Sequence, residues 1–253
     1  MMPVKWTGIL AAAVAGTLIT AAAAPAYELG QFDATKARVR SQLPFSLFSD
    51  TLNAYTINHA QGSVVFVSPD GGDSVLGIGG SGDLALLKFK DSAISVAGIG
   101  GADYFSSGSF DGVVAFGGPK LMVEGGPGNQ FAGGTGVVLS ISNAAHKTDA
   151  DVTFFLSGRF TATEDLASYV TVLVSSGHGL LDSGFILGGV YTFSDQLAAG
   201  FEIEDIGNTG FTPYARWTLG KLLQVGAGLT FADGIKIQFE GEVTVFLDPW
   251  FAS

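Results

Sequence analysis

The chain has no cysteine. That excludes a disulfide framework, thiol catalysis and cysteine-ligated metal centres. Charge is also scarce. Asp, Glu, Lys and Arg make up 14% of the 253 residues, against about 25% in ordinary globular domains. Basic residues are the scarcer sign, 12 against 23 acids, for a net charge of −11. Acidity of this size argues against a nucleic-acid partner. The three histidines, His59, His146 and His178, lie far apart in the sequence. No P-loop lysine follows any of the Gly-rich stretches, so nothing marks a nucleotide site. After the first 26 residues there is no run of about 18 apolar residues, so no helix is expected to span a bilayer. These residues call for no cofactor and no metal.

What the chain has is glycine, 37 of them, and a 47% apolar fraction. Together with few charges, these suit a chain that meets lipid on one side. The beginning, "MMPVKWTGILAAAVAGTLITAAAAPA", carries one charge, Lys5, then a small-and-apolar run from Trp6, then Ala24-Pro25-Ala26. That is the order of a secretory signal peptide, and cleavage after Ala26 is expected. A retained membrane anchor is the competing reading, since the run approaches spanning length. Removing residues 1–26 takes away one lysine and no acid, moving the net charge from −11 to −12.

Residues 27–60 read as an N-terminal segment before the strands: a helix, a plug or a first strand. Asp33 would cap a helix and Pro44 would stop it. Lys36, Arg38 and Arg40 read as a solvated or membrane-flanking face. From Ser63 to Gly136 short β runs are broken by glycine, which suggests bends and tight corners. From Asp149 the pattern sharpens to a period of two. "VTFFLSGRFTA" sets Val152, Phe154, Leu156 and Phe160 against Thr153, Ser157 and Arg159. The last strand-like stretch, "GIKIQFEGEVTVFL", sets Ile235, Ile237, Phe239, Val243 and Val245 against Lys236, Gln238, Glu240, Glu242 and Thr244. Strict alternation means a strand between two environments. Ordinary strands run to about 5–6 residues, and these are about twice that.

The turns are short, so consecutive antiparallel hairpins form a meander. Leu219 opposite Leu223, and Thr230 opposite Lys236 with Ala232-Asp233-Gly234 as a three-residue loop, keep like faces together. Glu202 is expected opposite Tyr214 and diagonal to Arg216. A soluble barrel with the apolar face inward would show the same alternation and would bind an apolar ligand. Three features favour the opposite orientation. The apolar face is uninterrupted and mixes Leu, Val and Phe with Gly and Ala. Aromatics stand near strand ends: Phe185, Phe193, Phe211, Trp217, Phe231, Trp250 and Phe251, like interfacial girdles. Strand lengths match the roughly 9–11 residues that cross a tilted barrel wall.

In this pattern the chain resembles the bacterial outer-membrane β-barrel proteins, porin-like or transporter-like. The resemblance implies an all-β, antiparallel, up-and-down transmembrane barrel over residues 61–253. At about 15 residues per strand and turn it has about 12 strands, with 10 or 14 also open. It implies outer-membrane lipid and the outer-membrane assembly machinery as partners, and leaves open a homo-oligomer or an envelope partner. Class members end on an aromatic at or near the C-terminus. Here Phe251 is near the end but not last, and Pro249 interrupts the strand.

The expected lumen residues are Arg159, Glu202, Glu204, Tyr214, Arg216, Lys236, Gln238, Glu240 and Glu242. They would line a polar pore for small solutes or ions, with acidic excess favouring cations, or form a salt-bridged network in a closed lumen with a structural or docking role. Ser176, His178 and Asp182 superficially resemble a hydrolase set, but they sit in a Gly-rich loop and read as a turn. "GGSGDLALL", Gly79 to Leu87, echoes one unit of a calcium β-roll, but no tandem copies follow. No enzyme activity is expected.

Overall fold

A computed structural model describes Phe45, Leu52 and residues 58–247, apart from 90–93, 109, 125–128, 143–146, 177–182, 207 and 221. The expected signal peptide and the C-terminal aromatics Trp250 and Phe251 lie outside the described residues, as does most of 27–57.

Twelve strands follow one another: β1 (His59–Pro69), β2 (Val75–Lys88), β3 (Ile94–Ser107), β4 (Phe110–Glu124), β5 (Asn129–Ser142), β6 (Lys147–Thr161), β7 (Leu166–Ser175), β8 (Gly184–Thr192), β9 (Leu197–Ile206), β10 (Thr209–Leu219), β11 (Leu223–Ala232) and β12 (Ile235–Phe246). Each pairs antiparallel with its neighbours in sequence, and β1 pairs with β12, so the sheet is a closed barrel. The closing ladder runs from His59↔Phe246 to Pro69↔Ile235. The barrel thus begins at His59, two residues before the expected boundary at 61, because His59 already pairs across the closure.

The Gly-rich region departs most from its sequence reading. "GVVAF" and "KLMVEGG" are not separate short runs. "GVVAF" and the "KLMVE" part of the second run both belong to β4, which carries on through Gly117, Gly118 and Pro119. Pro119 has no N–H to give, and the β4–β5 ladder skips from Gly117↔Val137 to Lys120↔Gly134 without changing register. Pro213 does the same in β10, where pairing to β11 skips from Phe211↔Phe231 to Tyr214↔Gly228. A proline inside a barrel wall therefore interrupts the ladder over two residue pairs on one side and leaves the strand intact.

Registers differ from expectation in two places. Leu219 does face Leu223, and Gly220 takes φ 66° in the turn between them. The β11–β12 hairpin is tighter than expected, however. Ala232 pairs with Ile235 and Thr230 with Gln238, with a register shift between. Gly234 at φ 74° makes the two-residue turn, so Lys236 does not face Thr230. In the β9–β10 pair, Glu202 faces Thr212 and Tyr214 faces Gly200. Glu202 is therefore diagonal to Tyr214 rather than opposite it. Away from the β11–β12 register shift both displacements are of two residues, which conserves parity, so Glu202, Gln238, Glu240 and Glu242 stay inward.

The orientation of the wall is decided by exposure. Large apolar side chains are the exposed ones: Phe154, Leu156 (65%), Val174, Trp217, Phe231 and Ile237 among them. Polar and charged side chains are the buried ones: Gln61, Asp83, Lys120, Arg159, Glu202 (0%), Arg216 (1%) and Glu242. A water-soluble barrel has the reverse distribution, so the reading with an apolar ligand cavity falls. No helix among the described residues is long and apolar enough to cross a membrane. This chain crosses with strands instead, whose amides pair with those of neighbouring strands around the closed sheet.

A charge placed on the outer face should therefore cost stability in proportion to its depth. Leu156→Arg, near mid-wall, should lower the folding free energy in lipid vesicles by about 2–4 kcal/mol. Phe160→Arg, near the end of the same strand, should cost about 0–1 kcal/mol. Urea titration of vesicle-folded protein reads both.

Candidate functional site

Alternation sends every second residue of each strand inward, and the pairing register decides which inward residues meet. Arg216 on β10 reaches across β11 to Glu242 on β12. Its Nε donates to Glu242 Oε1 and its Nη2 donates to Oε2 at 2.9 Å, a two-pronged grip. Gln61 Nε2 donates to the same carboxylate at 2.6 Å. Gly226 lies between the two strands' charges: a Cβ there would stand 2.5 Å from Glu242 Oε1. The glycine is what lets the ion pair lie flat against the wall.

A second group lies beside it. Tyr169 Oη donates to Glu202 Oε1 at 2.7 Å and is 3.2 Å from Tyr214 Oη. Each tyrosine covers a cross-strand glycine, Tyr169 over Gly188 and Tyr214 over Gly200, where a Cβ would come within 2.2 and 2.6 Å of the ring or hydroxyl. A third group sits on the β1–β4 side. His59 Nδ1 is 2.8 Å from Asp83 Oδ1, and Lys120 Nζ is 2.9 Å from Asp83 Oδ2, all fully buried.

Two residues before β1, Phe45 and Leu52, reach this interior. Phe45 is fully buried and stacks on Tyr214, with centroids 4.8 Å apart and planes 12° apart. Its backbone N–H donates to Glu202, and its carbonyl accepts from Arg216 Nη2 at 3.5 Å. The Arg216 guanidinium stands 5.6 Å from the centroids of both rings. Gly228 makes the room, since a Cβ there would be 2.6 Å from the Phe45 ring. Leu52 is buried too, and its carbonyl accepts from Ser157 Oγ.

Of the expected lumen residues, Arg159, Glu202, Tyr214, Arg216, Glu240 and Glu242 are buried inside. Glu204 and Gln238 are half-buried and line a cavity of about 330 Å³ with Glu240 and Asp103. Lys236 is exposed at the start of β12, one residue past the tight β11–β12 turn. Phe185, Phe211 and Phe231 face outward near one end of the barrel, Phe193 and Trp217 near the other. Ser176 Oγ accepts from the backbone N–H of Val152 at 3.1 Å, while His178 and Asp182 lie outside the described residues.

Sequence reasoning missed His59, Asp83, Lys120, Tyr169 and Phe45. Tyr169 had a usable signal: it shares the parity of Ala167, Thr171 and Leu173, all buried. Asp83 stood in a glycine run where parity is unreadable. Among the described residues no group of three or more acidic or histidine side chains is placed to hold a metal ion.

A closed antiparallel barrel, apolar outside and charged inside, is the fold of the bacterial outer-membrane β-barrels. Solved structures bear this likeness. The COG4313 outer membrane channel from Pseudomonas putida F1 matches with TM-score 0.55 and 14% identity, over 77% of this chain and 98% of that one. Outer membrane phospholipase A from Escherichia coli matches with TM-score 0.52 and 9% identity, over 85% and 98%. No family model matches the chain, and no curated protein matches its sequence.

Removing one partner of the buried pair should be worse than removing both. Arg216→Ala strands Glu242 and should cost about 3–5 kcal/mol. Arg216→Met with Glu242→Met should recover most of that loss. A double-mutant cycle on unfolding of the folded barrel measures the coupling.

Proposed function

We propose that this protein is an outer-membrane channel or passive transporter for small polar solutes or ions, with Phe45 and Leu52 held inside the lumen. The carrying observation is the buried, charged interior enclosed by an apolar wall, a polar environment set apart from lipid. Among the described side chains the inward acids Asp83, Asp103, Glu202, Glu204, Glu240 and Glu242 outnumber the inward bases Lys120, Arg159 and Arg216. That excess favours cations. The likeness to a protein described as an outer membrane channel supports the reading, and the fold fits many functions.

The location follows the same reading. The leader ending at Ala26 would direct export. The two outward aromatic sets would sit at the two interfaces. Outer-membrane lipid and the assembly machinery are the partners this implies. A structural or docking barrel is the second reading. It is favoured by the mutual satisfaction of Arg216, Glu242 and Gln61 and by the seat of Phe45, which together fill the middle of the lumen.

Planar-bilayer recording separates the two. The channel reading expects cation-selective steps. Phe45→Ala, which removes the stack on Tyr214, and Gly228→Ala, which pushes the ring off its seat from the wall side, should each raise the open fraction by about tenfold. That corresponds to about 1.4 kcal/mol, the order of one aromatic pair. A correctly inserted barrel that stays silent in all three forms would leave the docking reading standing.

A further inference from the structure

The interior is not uniformly neutralised. Arg216 is committed to Glu242 and the Phe45 carbonyl, and Lys120 to Asp83. Beyond Phe45, toward the β9–β10 and β11–β12 turns, the cavity of about 330 Å³ receives three carboxylates: Asp103 from β3, Glu204 from β9 and Glu240 from β12. Glu240 is 6% exposed and has no hydrogen-bond or ion-pair partner among the described residues, yet it borders the cavity. Asp103 is equally buried and also without a partner. Further carboxylates, those of Glu242, Glu204, Glu202 and Asp103, are among the charges within electrostatic reach of Glu240.

Unpaired carboxylates at a cavity wall are costly unless water, a proton or a positive ligand completes them. The wall also gives up volume to keep one of them in place. A Cβ at Gly79 would stand 1.6 Å from Asp103 Oδ1, so only glycine there lets the carboxylate lie in the cavity.

The rest of the lining decides what the positive group is. Phe105, Ile186 and Ile206 supply apolar wall between the acids. The three carboxylates come from strands well apart around the barrel, and no cluster among the described residues is placed to chelate a metal. A bare inorganic ion would gain nothing from the apolar wall. A compact organic ammonium would place its charge among the acids and its hydrocarbon body on Phe105, Ile186 and Ile206.

We propose that this cavity is a binding station for small organic monocations, an ammonium head on an apolar body, on the route through the barrel. The proposal deepens the channel reading and rests on it for the route, but the binding itself can be measured separately. Glu240 and Asp103 hold the charge, and Glu204, half-buried toward the mouth, receives it first.

The test is isothermal titration of the full folded chain in detergent with benzylammonium chloride, against benzyl alcohol as the neutral isostere and potassium chloride as the bare cation. Saturable one-to-one binding of benzylammonium is expected. Glu240→Gln and Asp103→Asn should each weaken it by about tenfold, while Glu164→Gln, on an exposed turn, leaves it unchanged. Two independent isosteric variants keep the test informative if one fails to fold, which heat-shifted gel mobility reports. Equal affinity for benzyl alcohol, or full displacement by potassium chloride at matched ionic strength, would overturn the station in favour of a greasy crevice or a diffuse acidic field. Binding by a barrel that conducts nothing would sustain the station and sink the channel. Conduction without saturable benzylammonium binding would do the opposite.

Discussion

Everything in this molecule depends on β1 meeting β12. In hydrocarbon an unpaired backbone amide costs several kcal/mol, so an open sheet of these strands has no stable place in a membrane. Closure gives every strand two neighbours and makes the two faces of the sheet inside and outside. Once that is imposed, alternation does the rest. One parity meets lipid and is Phe, Leu, Val and Trp. The other is shut away from lipid and carries Arg216, Glu202, Glu242 and Lys120. Charges rarely survive full burial in a soluble core. They are kept here because they face one another around a lumen.

Glycine is the second half of the design. A barrel of this size must pack long side chains into a narrow interior without forcing strands apart. It does so by setting a large residue over a cross-strand glycine: Tyr169 over Gly188, Tyr214 over Gly200, Glu242 over Gly226 and Phe105 over Gly77. The same device seats Phe45 over Gly228 and Asp103 over Gly79. Abundant glycine therefore records where large inward side chains lie down against the wall. It weakens strands elsewhere, but here the closed ladder on both sides holds them.

The later half of the chain was readable because its two faces differ. In β6 and β10 to β12, a residue's parity alone tells whether it meets lipid or lumen, and the wall obeys it at Phe154, Trp217, Glu240 and Thr244. Register was less readable. Glu202 and Lys236 were both placed two residues off along their partner strands, since a two-residue slip changes no face and leaves no trace in the pattern. In β2 to β4 the faces themselves blur. Gly77, Gly79 and Gly101 are inward yet carry no polar mark, so Asp83 and Lys120 looked isolated although one holds the other. Phe45 was illegible for a different reason. Its environment is made by Tyr214, Gly228 and Arg216, far along the chain, and nothing local announces it.

The closing ladder joins residues that are almost as far apart as the described chain allows, His59 to Phe246. The other eleven strand pairs are local hairpins that can zip in sequence, each registering on the last. The twelfth pairing must wait for all of them, and it carries the largest loop-closure entropy. Folding of this barrel is therefore a race with one late step. Until β12 finds β1, two edges stand open and the lumen has no floor on that side. Gln61 lacks Glu242, and Glu242, though it has β11 beside it, lacks half its wall. The buried Gln61–Glu242 bond is thus a late-forming clasp. It ties the slowest step of assembly to the same carboxylate that holds Arg216, and through it to the seat of Phe45.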